Sequence, residues 1–122
     1  MGVLIRGGRV IDAATNTDKV MDLYLDDGVI QEIGENLQKA DAGDRVIDAD
    51  GLVVMPGIVD HHVHFRDQGQ EYKETIETGA RAAARGGVTT VVPMPNTTTV
   101  IDEQECVTSV QKQAAQLSNI NM

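Results

Sequence analysis

The chain has 122 residues, 41% hydrophobic and 24% charged, which is the composition of a folded soluble protein of one modest domain rather than of a disordered or membrane-spanning one. A net charge of −9, with two tyrosines, one phenylalanine and no tryptophan, disfavours nucleic acid and anionic membranes as partners, because it offers neither a basic surface nor rings on which bases could stack. The single cysteine excludes an intrachain disulfide and a cysteine-based zinc site, and it favours a reducing, cytoplasmic location.

Residues 1–55 are predicted to form a small antiparallel β-sheet, because they alternate short β-branched apolar runs with glycine and aspartate. The candidate strands are residues 3–5, 9–11, 20–25, 29–33, 45–47 and 52–54. Gly7-Gly8 and residues 26–28 are expected to be hairpin turns. A sheet of this size buries only one face, so its apolar side needs cover from another piece of protein.

Residues 56–122 change to the order strand, helix, strand, helix. The candidate elements are strands at residues 58–64 and 88–92 and helices at residues 72–85 and from residue 102 onwards. Asp102 and Glu105 are expected to form a capping box at the start of the second helix. Apolar strands separated by helices of this length indicate parallel β/α units whose sheet is covered on both faces.

The length of this second segment points to an incomplete barrel. A closed (β/α)8 barrel takes about 250 residues, so residues 56–122 would supply its first two β/α units. Residues 118–122 are expected to end the chain without starting a third strand. We therefore interpret the sequence as an N-terminal fragment with two partial domains, a β-rich subdomain over residues 1–55 and the start of a barrel over residues 56–122.

The second helix is expected to bury a stripe at helical spacing, formed by Cys106, Val110, Ala114 and Leu117.

All three histidines lie at the carboxyl end of the first predicted strand of this segment. Alternation of strand side chains places one polar set on a common face: Asp60, His62, His64 and Arg66. Two imidazoles two residues apart can bind one metal ion, and a divalent ion such as zinc suits them. The alternative, a solvated polar surface, is less favoured, because this set is costly to bury without a ligand. A catalytic zinc ion needs three protein ligands, so others are expected from outside the chain, with Asp60 as a ligand or as support for one.

Asn96 and Arg66 are candidate substrate-binding residues. Asn96 follows the second strand and two prolines, at the edge where the histidines lie, and its amide can hold a carboxylate or an amide of a substrate. An ordinary turn, in which Asn96 bonds its own backbone, is the alternative, and spacing alone slightly favours it. Arg66 can hold an anion in a bidentate fork; its alternative is a structural ion pair with Asp67 or Glu71.

Together these motifs resemble dihydroorotase of the longer, bacterial-type class in the cyclic amidohydrolase superfamily, and the resemblance covers the whole chain. It is carried by the runs Pro56-Gly57-Ile58-Val59-Asp60-His61-His62-Val63-His64-Phe65-Arg66, Gln70-Glu71-Tyr72-Lys73-Glu74-Thr75-Ile76-Glu77-Thr78-Gly79, Ala82-Ala83-Ala84-Arg85-Gly86-Gly87-Val88-Thr89-Thr90 and Met94-Pro95-Asn96-Thr97. The resemblance implies an α/β fold in which half of a small β-sandwich precedes the first two β/α units of a TIM barrel. One departure is Asp67-Gln68, which stands where the family commonly has Glu-Pro and implies a less rigid loop.

The resemblance also implies a function and a set of site residues. The function is the zinc-dependent, reversible cyclisation of the small molecule N-carbamoyl-L-aspartate to dihydroorotate in pyrimidine synthesis, with a binuclear zinc site in the complete protein. His62 and His64 would be metal ligands, and His64, Arg66 and Asn96 would bind substrate. The proton-transfer aspartate is expected beyond residue 122, so no catalytic residue is assigned within this chain, and the isolated chain is expected to be inactive. Expected partners are the rest of the polypeptide, a second copy of the protein or another enzyme of the pathway.

Two rival functions remain open at this point. The first is a non-catalytic, dihydroorotase-like scaffold subunit, although the retention of His62, His64, Arg66 and Asn96 argues against it. The second is another cyclic amidohydrolase, an allantoinase or hydantoinase. Those enzymes share the His-x-His pair but typically lack this arginine together with the Met-Pro-Asn-Thr run.

Overall fold

The computed structural model describes residues 1–38 and 41–122, which form two compact units, Met1–Pro56 and Gly57–Met122. The N-terminal unit contains the strands β1 (Val3–Asp12), β2 (Thr17–Asp26), β3 (Val29–Gly34), β4 (Arg45–Asp48) and β5 (Val53–Val54). The C-terminal unit contains β6 (Ile58–Val63), α1 (Ile76–Arg85), β7 (Val88–Pro93) and α2 (Gln104–Leu117). Among the described residues, no helix has the length and apolar character needed to cross a membrane.

The N-terminal unit is one mixed sheet with the strand order β3-β2-β1-β4, in which β5 also pairs with β1. β1, β2 and β3 are antiparallel neighbours, whereas β4 and β5 run parallel to β1. The prediction of a purely antiparallel sheet is therefore wrong for β4 and β5. Alternating apolar runs identify strands but do not show which strand each one will pair with.

Gly7-Gly8 is not a hairpin turn as predicted but a bulge inside β1, where the pairing with β2 shifts between Ile5 and Gly8. Gly7 has φ +72° and donates its N–H to the buried carboxylate of Asp22 at 2.8 Å, so a contact from a neighbouring strand stabilises the bulge. The first hairpin turns instead at residues 13–16. The predicted turn at residues 26–28 is confirmed, with φ +50° at Asp27 and +73° at Gly28.

The N-terminal sheet buries few side chains, chiefly Leu4, Val10 and Leu23. Large apolar side chains elsewhere on the unit remain about half exposed or more, namely Val20, Val29, Ile30, Ile33, Val46, Leu52 and Val53. Much of the apolar surface of this sheet is therefore in contact with solvent.

The C-terminal unit is a β/α arrangement in which β6 and β7 pair in parallel, as predicted. Its core is formed by Phe65, Ile76, Val91, Val110 and Ala114. α1 begins at Ile76, later than predicted, because Thr75 caps it: Thr75 Oγ1 accepts the Thr78 N–H at 3.2 Å, and Thr78 Oγ1 accepts the Thr75 N–H at 3.1 Å.

α2 begins at Gln104, and the capping box predicted for Asp102 and Glu105 is wrong. Glu103 is the residue with the extended cap conformation, so Asp102 lies one position too early to reach the free N–H groups of the first turn. The predicted buried stripe is confirmed at Val110 and Ala114. Cys106 is only half-buried, and Leu117 is 48% exposed.

Among the described residues no strand follows α2, as predicted, but Asn121 forms an isolated parallel β-bridge with Thr90. Asn121 donates its N–H to the Thr89 carbonyl and accepts the Val91 N–H, both at 2.9 Å. The residues just before Asn121 have the composition of a loop. Its bridge nevertheless needs only backbone N–H and C=O groups, which every non-proline residue carries.

Candidate active site

The two candidate metal ligands lie where β6 ends. β6 contains one extra residue between Asp60 and Val63 relative to β7, so the strict side-chain alternation assumed from the sequence is interrupted there. The Asp60 carboxylate accepts the His62 N–H at 3.0 Å within this bulge. The rings of His62 and His64 nevertheless meet edge to face, with centroids 5.2 Å apart, and both side chains are exposed. The structure thus brings the two imidazoles together.

Asn96 contacts His64 rather than its own turn. The Nδ1 atom of His64 lies 3.0 Å from Oδ1 of Asn96, across two loops. An amide oxygen only accepts, so this contact suits the neutral tautomer in which Nδ1 is the donor and Nε2 keeps its lone pair. Histidines that bind metals show this pattern, in which the second ring nitrogen donates to a fixed acceptor.

Arg66 is the third candidate residue beside His64 and Asn96. Its Nη1 donates to the Asn96 carbonyl at 3.4 Å, and the side chain is half-buried. The predicted alternative, an ion pair with Asp67 or Glu71, is not formed. The Asp67 carboxylate accepts the Ile76 N–H at the start of α1, and the Glu71 carboxylate accepts backbone N–H groups. Within the described part of the chain no carboxylate pairs with Arg66, so its remaining N–H groups can bind an anion.

The loop after Arg66 is held by hydrogen bonds, a feature that sequence reasoning missed. Glu71 accepts the N–H groups of Gly69 at 2.8 Å and Gln68 at 3.0 Å. The Gly69 bond, followed by those from the backbones of Glu71 itself and of Gln68, lowers the pKa of the Glu71 carboxyl. Gln68 has φ +85°, a conformation that proline cannot adopt. The only signal in the sequence was Gly69, a residue that tolerates such a turn.

Phe65, which stands between His64 and Arg66 in the sequence, packs into the core of the C-terminal unit. It is 7% exposed and packs with Ile76 and Val91. A Cβ atom added to Gly79 of α1 would lie 2.3 Å from Phe65 Cε1, so the ring occupies the space that the missing side chain leaves. The backbone that carries His64 and Arg66 is therefore fixed by packing against α1.

Among the described residues, His62 and His64 are the two candidate metal ligands that the structure brings together. Within residues 1–38 and 41–122, no group of three or more histidine, cysteine, aspartate or glutamate side chains is placed to hold a metal ion. The site residues are presented at the carboxyl ends of neighbouring parallel strands, which is where α/β barrels place their active sites.

Comparison with known proteins identifies relatives along the whole chain. A family profile described as dihydro-orotase-like matches residues 51–122. The chain is 54% identical over 104 residues to the dihydroorotase of Geobacter sulfurreducens, covering 85% of this chain and 24% of that protein. It is 47% identical over all of its 122 residues to the dihydroorotase of Citrifermentans bemidjiense, of which it covers 28%. The chain thus spans about a quarter of the length of these relatives.

The solved structure of an L-hydantoinase (dihydropyrimidinase) from Arthrobacter aurescens is similar, with a TM-score of 0.86 and 29% identity over 97% of this chain and 26% of that one. The predicted fold class, an α/β chain with the fold of the N-terminal part of an amidohydrolase, is confirmed. The match to the family profile and the identity to dihydroorotases confirm the resemblance seen in the sequence. The chain belongs to the dihydro-orotase-like family.

Proposed function

We propose that this chain is the N-terminal part of a dihydroorotase, which interconverts dihydroorotate and N-carbamoyl-L-aspartate in the cytoplasm. Residues 1–55 would form part of a β-sandwich, and residues 56–122 would begin the catalytic barrel. The observation that supports the proposal most strongly is the contact of His64 with Asn96, beside Arg66 on the Asn96 carbonyl. It joins a candidate metal ligand to two candidate substrate-binding residues.

The donor set fits a zinc ion. The two imidazoles are adjacent, and the Asn96 contact leaves Nε2 of His64 able to coordinate. His62 and His64 would hold one ion of a binuclear site whose other ligands lie outside these residues. When bound, zinc would lower the pKa of a coordinated water and polarise the ring amide carbonyl.

The substrate carboxylate would be bound by Arg66 and Asn96. The planar guanidinium matches a carboxylate in two parallel hydrogen bonds, and the Asn96 Nδ2 group can donate to the same anion while Oδ1 accepts from His64. Asn96 would thus hold the substrate and a metal ligand in one geometry, which is the positioning on which ring opening by water depends. The group that transfers the proton would come from outside this chain.

A hydantoinase is the rival function, and the similarity of the A. aurescens structure favours it. Two observations weigh against it. Sequence identity reaches 54% for a dihydroorotase but 29% for that hydantoinase. Arg66 and Asn96 also suit a ring carboxylate, which dihydroorotate carries and hydantoin lacks.

A substrate panel with the full-length protein tests the proposal. Zinc-loaded protein is expected to open dihydroorotate, to close N-carbamoyl-L-aspartate, and to lose both activities on chelation and regain them on zinc addition. Hydantoin and allantoin serve as comparison substrates. Turnover of either without turnover of dihydroorotate would overturn the proposal, and metal-free protein of unchanged activity would overturn the role of zinc.

A further inference from the structure

The two loops that carry Arg66 and Asn96 are joined directly to each other. Thr99 donates its N–H to the Gln68 carbonyl at 3.1 Å, and Thr98 Oγ1 donates to the Gly69 carbonyl at 3.2 Å. A Cβ atom on Gly69 would lie 2.6 Å from Thr98 Cβ, so the Thr98 side chain leaves no room for a side chain at position 69. We call this contact between residues 68–69 and 98–99 the loop clasp.

The loop clasp depends on an unfavourable backbone conformation. Gln68 has φ +85° and Gly69 has φ +108°, and the first of these values is uncommon for a residue with a side chain. Such conformations persist only where surrounding contacts hold them. Glu71 contributes by accepting both N–H groups, but it belongs to the same loop and is exposed.

A contact from outside both loops reaches the loop clasp through Gln113. The Gln68 Nε2 group donates to Gln113 Oε1 at 3.1 Å, and both side chains are half-buried. Gln113 lies on α2, next to the buried Ala114 and one turn after the buried Val110. Gln68 is thus tied to a helix that is fixed in the core, and not only to residues of the two loops.

We infer that Gln113 is a positioning residue for the substrate carboxylate, acting through Gln68 and the loop clasp to set the spacing between Arg66 and Asn96. This inference rests on the proposed function. Arg66 lies two residues before the clasp on one loop, and Asn96 lies two residues before it on the other. A shift of Gln68 would therefore move the two groups relative to each other, while His62 at the end of β6 would stay in place.

The test compares three variants of the full-length, zinc-loaded enzyme. Gln113→Ala removes the acceptor, Gln113→Glu keeps an oxygen acceptor at the same position, and Gln116→Ala changes an exposed glutamine of the same helix. Gln113→Ala is expected to raise KM for dihydroorotate roughly threefold to tenfold, as expected for one lost hydrogen bond. Its kcat, zinc content and melting temperature should stay near wild type. Gln113→Glu should restore KM, and Gln116→Ala should not change it.

Backbone amide exchange gives a second readout that is independent of turnover. Loss of the Gln113 contact should speed exchange of the Thr99 N–H, which bonds to Gln68, and leave the amides of α2 protected. An unchanged KM in Gln113→Ala, with an active wild type, would overturn the inference alone. Absence of dihydroorotate turnover in the wild type would overturn the proposed function and this inference with it. A parallel fall in zinc content or stability that Gln113→Glu does not restore would reassign Gln113 to folding.

Discussion

His64 and Asn96 join the ends of two neighbouring parallel strands through a single contact of 3.0 Å between Nδ1 and Oδ1. The two residues lie beyond β6 and β7, whose carboxyl ends meet at one edge of the sheet. The contact favours the neutral tautomer in which Nδ1 is the donor and Nε2 is unprotonated. One asparagine therefore orients the ring of a proposed zinc ligand.

Replacing Asn96 should weaken zinc binding in the full-length enzyme. Asn96→Ala removes the acceptor for Nδ1, and we expect zinc affinity to fall roughly 10- to 100-fold. Asn96→Asp keeps an acceptor oxygen, so it should retain zinc but raise KM because its charge repels the substrate carboxylate. Zinc titration and steady-state kinetics measure the two effects, with the exposed Asn119→Ala as control. Wild-type zinc affinity in Asn96→Ala would contradict this role.

Replacing Arg66 should weaken substrate binding and leave zinc in place. Hydrogen bonds to charged groups contribute about 1.5–3 kcal/mol, so Arg66→Ala should raise KM for dihydroorotate roughly 10- to 100-fold. Arg66→Lys should restore only part of the loss, because an ammonium group cannot form the bidentate fork. The matched control is Arg85→Ala, on the exposed last turn of α1. The prediction is wrong if Arg66→Ala binds substrate normally or loses its metal.

Adding one methyl group to α1 should destabilise the C-terminal unit. The Cβ atom of Gly79→Ala would lie 2.3 Å from Phe65 Cε1, and overpacking of this kind costs about 1–3 kcal/mol in the free energy of unfolding. Gly86→Ala is the control, since the atom nearest to its Cβ is 3.4 Å away and its φ is −85°. Denaturant unfolding compares the two variants. Equal stability of the two variants would contradict the prediction and would mean that Phe65 can move aside at no cost.

Tyr24 should titrate well above an ordinary tyrosine. Its hydroxyl donates to Asp44 Oδ2 at 3.0 Å, and this hydrogen bond, followed by burial, raises the pKa of Tyr24 to about 12. A raised folded pKa contributes stability that is complete below the unfolded value of about 10 and disappears as pH rises through about 12. The difference in tyrosinate absorbance between wild type and Tyr24→Phe isolates this titration. Asp44→Asn should move the midpoint down, and a wild-type midpoint near 10 would contradict the prediction.

The isolated 122-residue chain is expected to be inactive and to bind zinc only weakly. It brings together two imidazoles, whereas a catalytic zinc ion takes three protein ligands. The exposed apolar side chains of the N-terminal sheet should also promote association. Calorimetric zinc titration and sedimentation check both expectations. Micromolar or tighter binding by a monomer would show that the remaining ligands are not needed.

Local signals in the sequence predicted most elements but not the contacts between distant residues. The turn at residues 26–28 follows from Asp27 and Gly28 alone, because a two-residue hairpin needs positive φ at both positions. Gly7-Gly8 has the same local character, yet the Asp22 carboxylate from β2 makes it a bulge. Such a partner lies outside any local pattern, as do the two backbone hydrogen bonds that Asn121 forms with Thr89 and Val91.

For the site, the sequence predicted that the candidate residues lie at one edge of the sheet but not the contacts that join them. His64, Arg66 and Asn96 follow two parallel strands, and topology alone places them at one edge. Their proposed roles in binding zinc and substrate stay predictions. The link from Gln68 to Gln113 could not be foreseen, because it joins two ordinary polar residues that periodicity does not distinguish.

The central position of β1 has a consequence for the protein while it is being synthesised. β1 pairs with β2 on one edge and with both β4 and β5 on the other. The β1–β2 hairpin can close early, but the second edge stays open until the ribosome has released residues 45–54. At roughly 5–20 residues per second, the nascent chain exposes one unpaired edge of β1 for a second or more. That edge is where a chaperone would bind, or where two growing chains would pair by mistake.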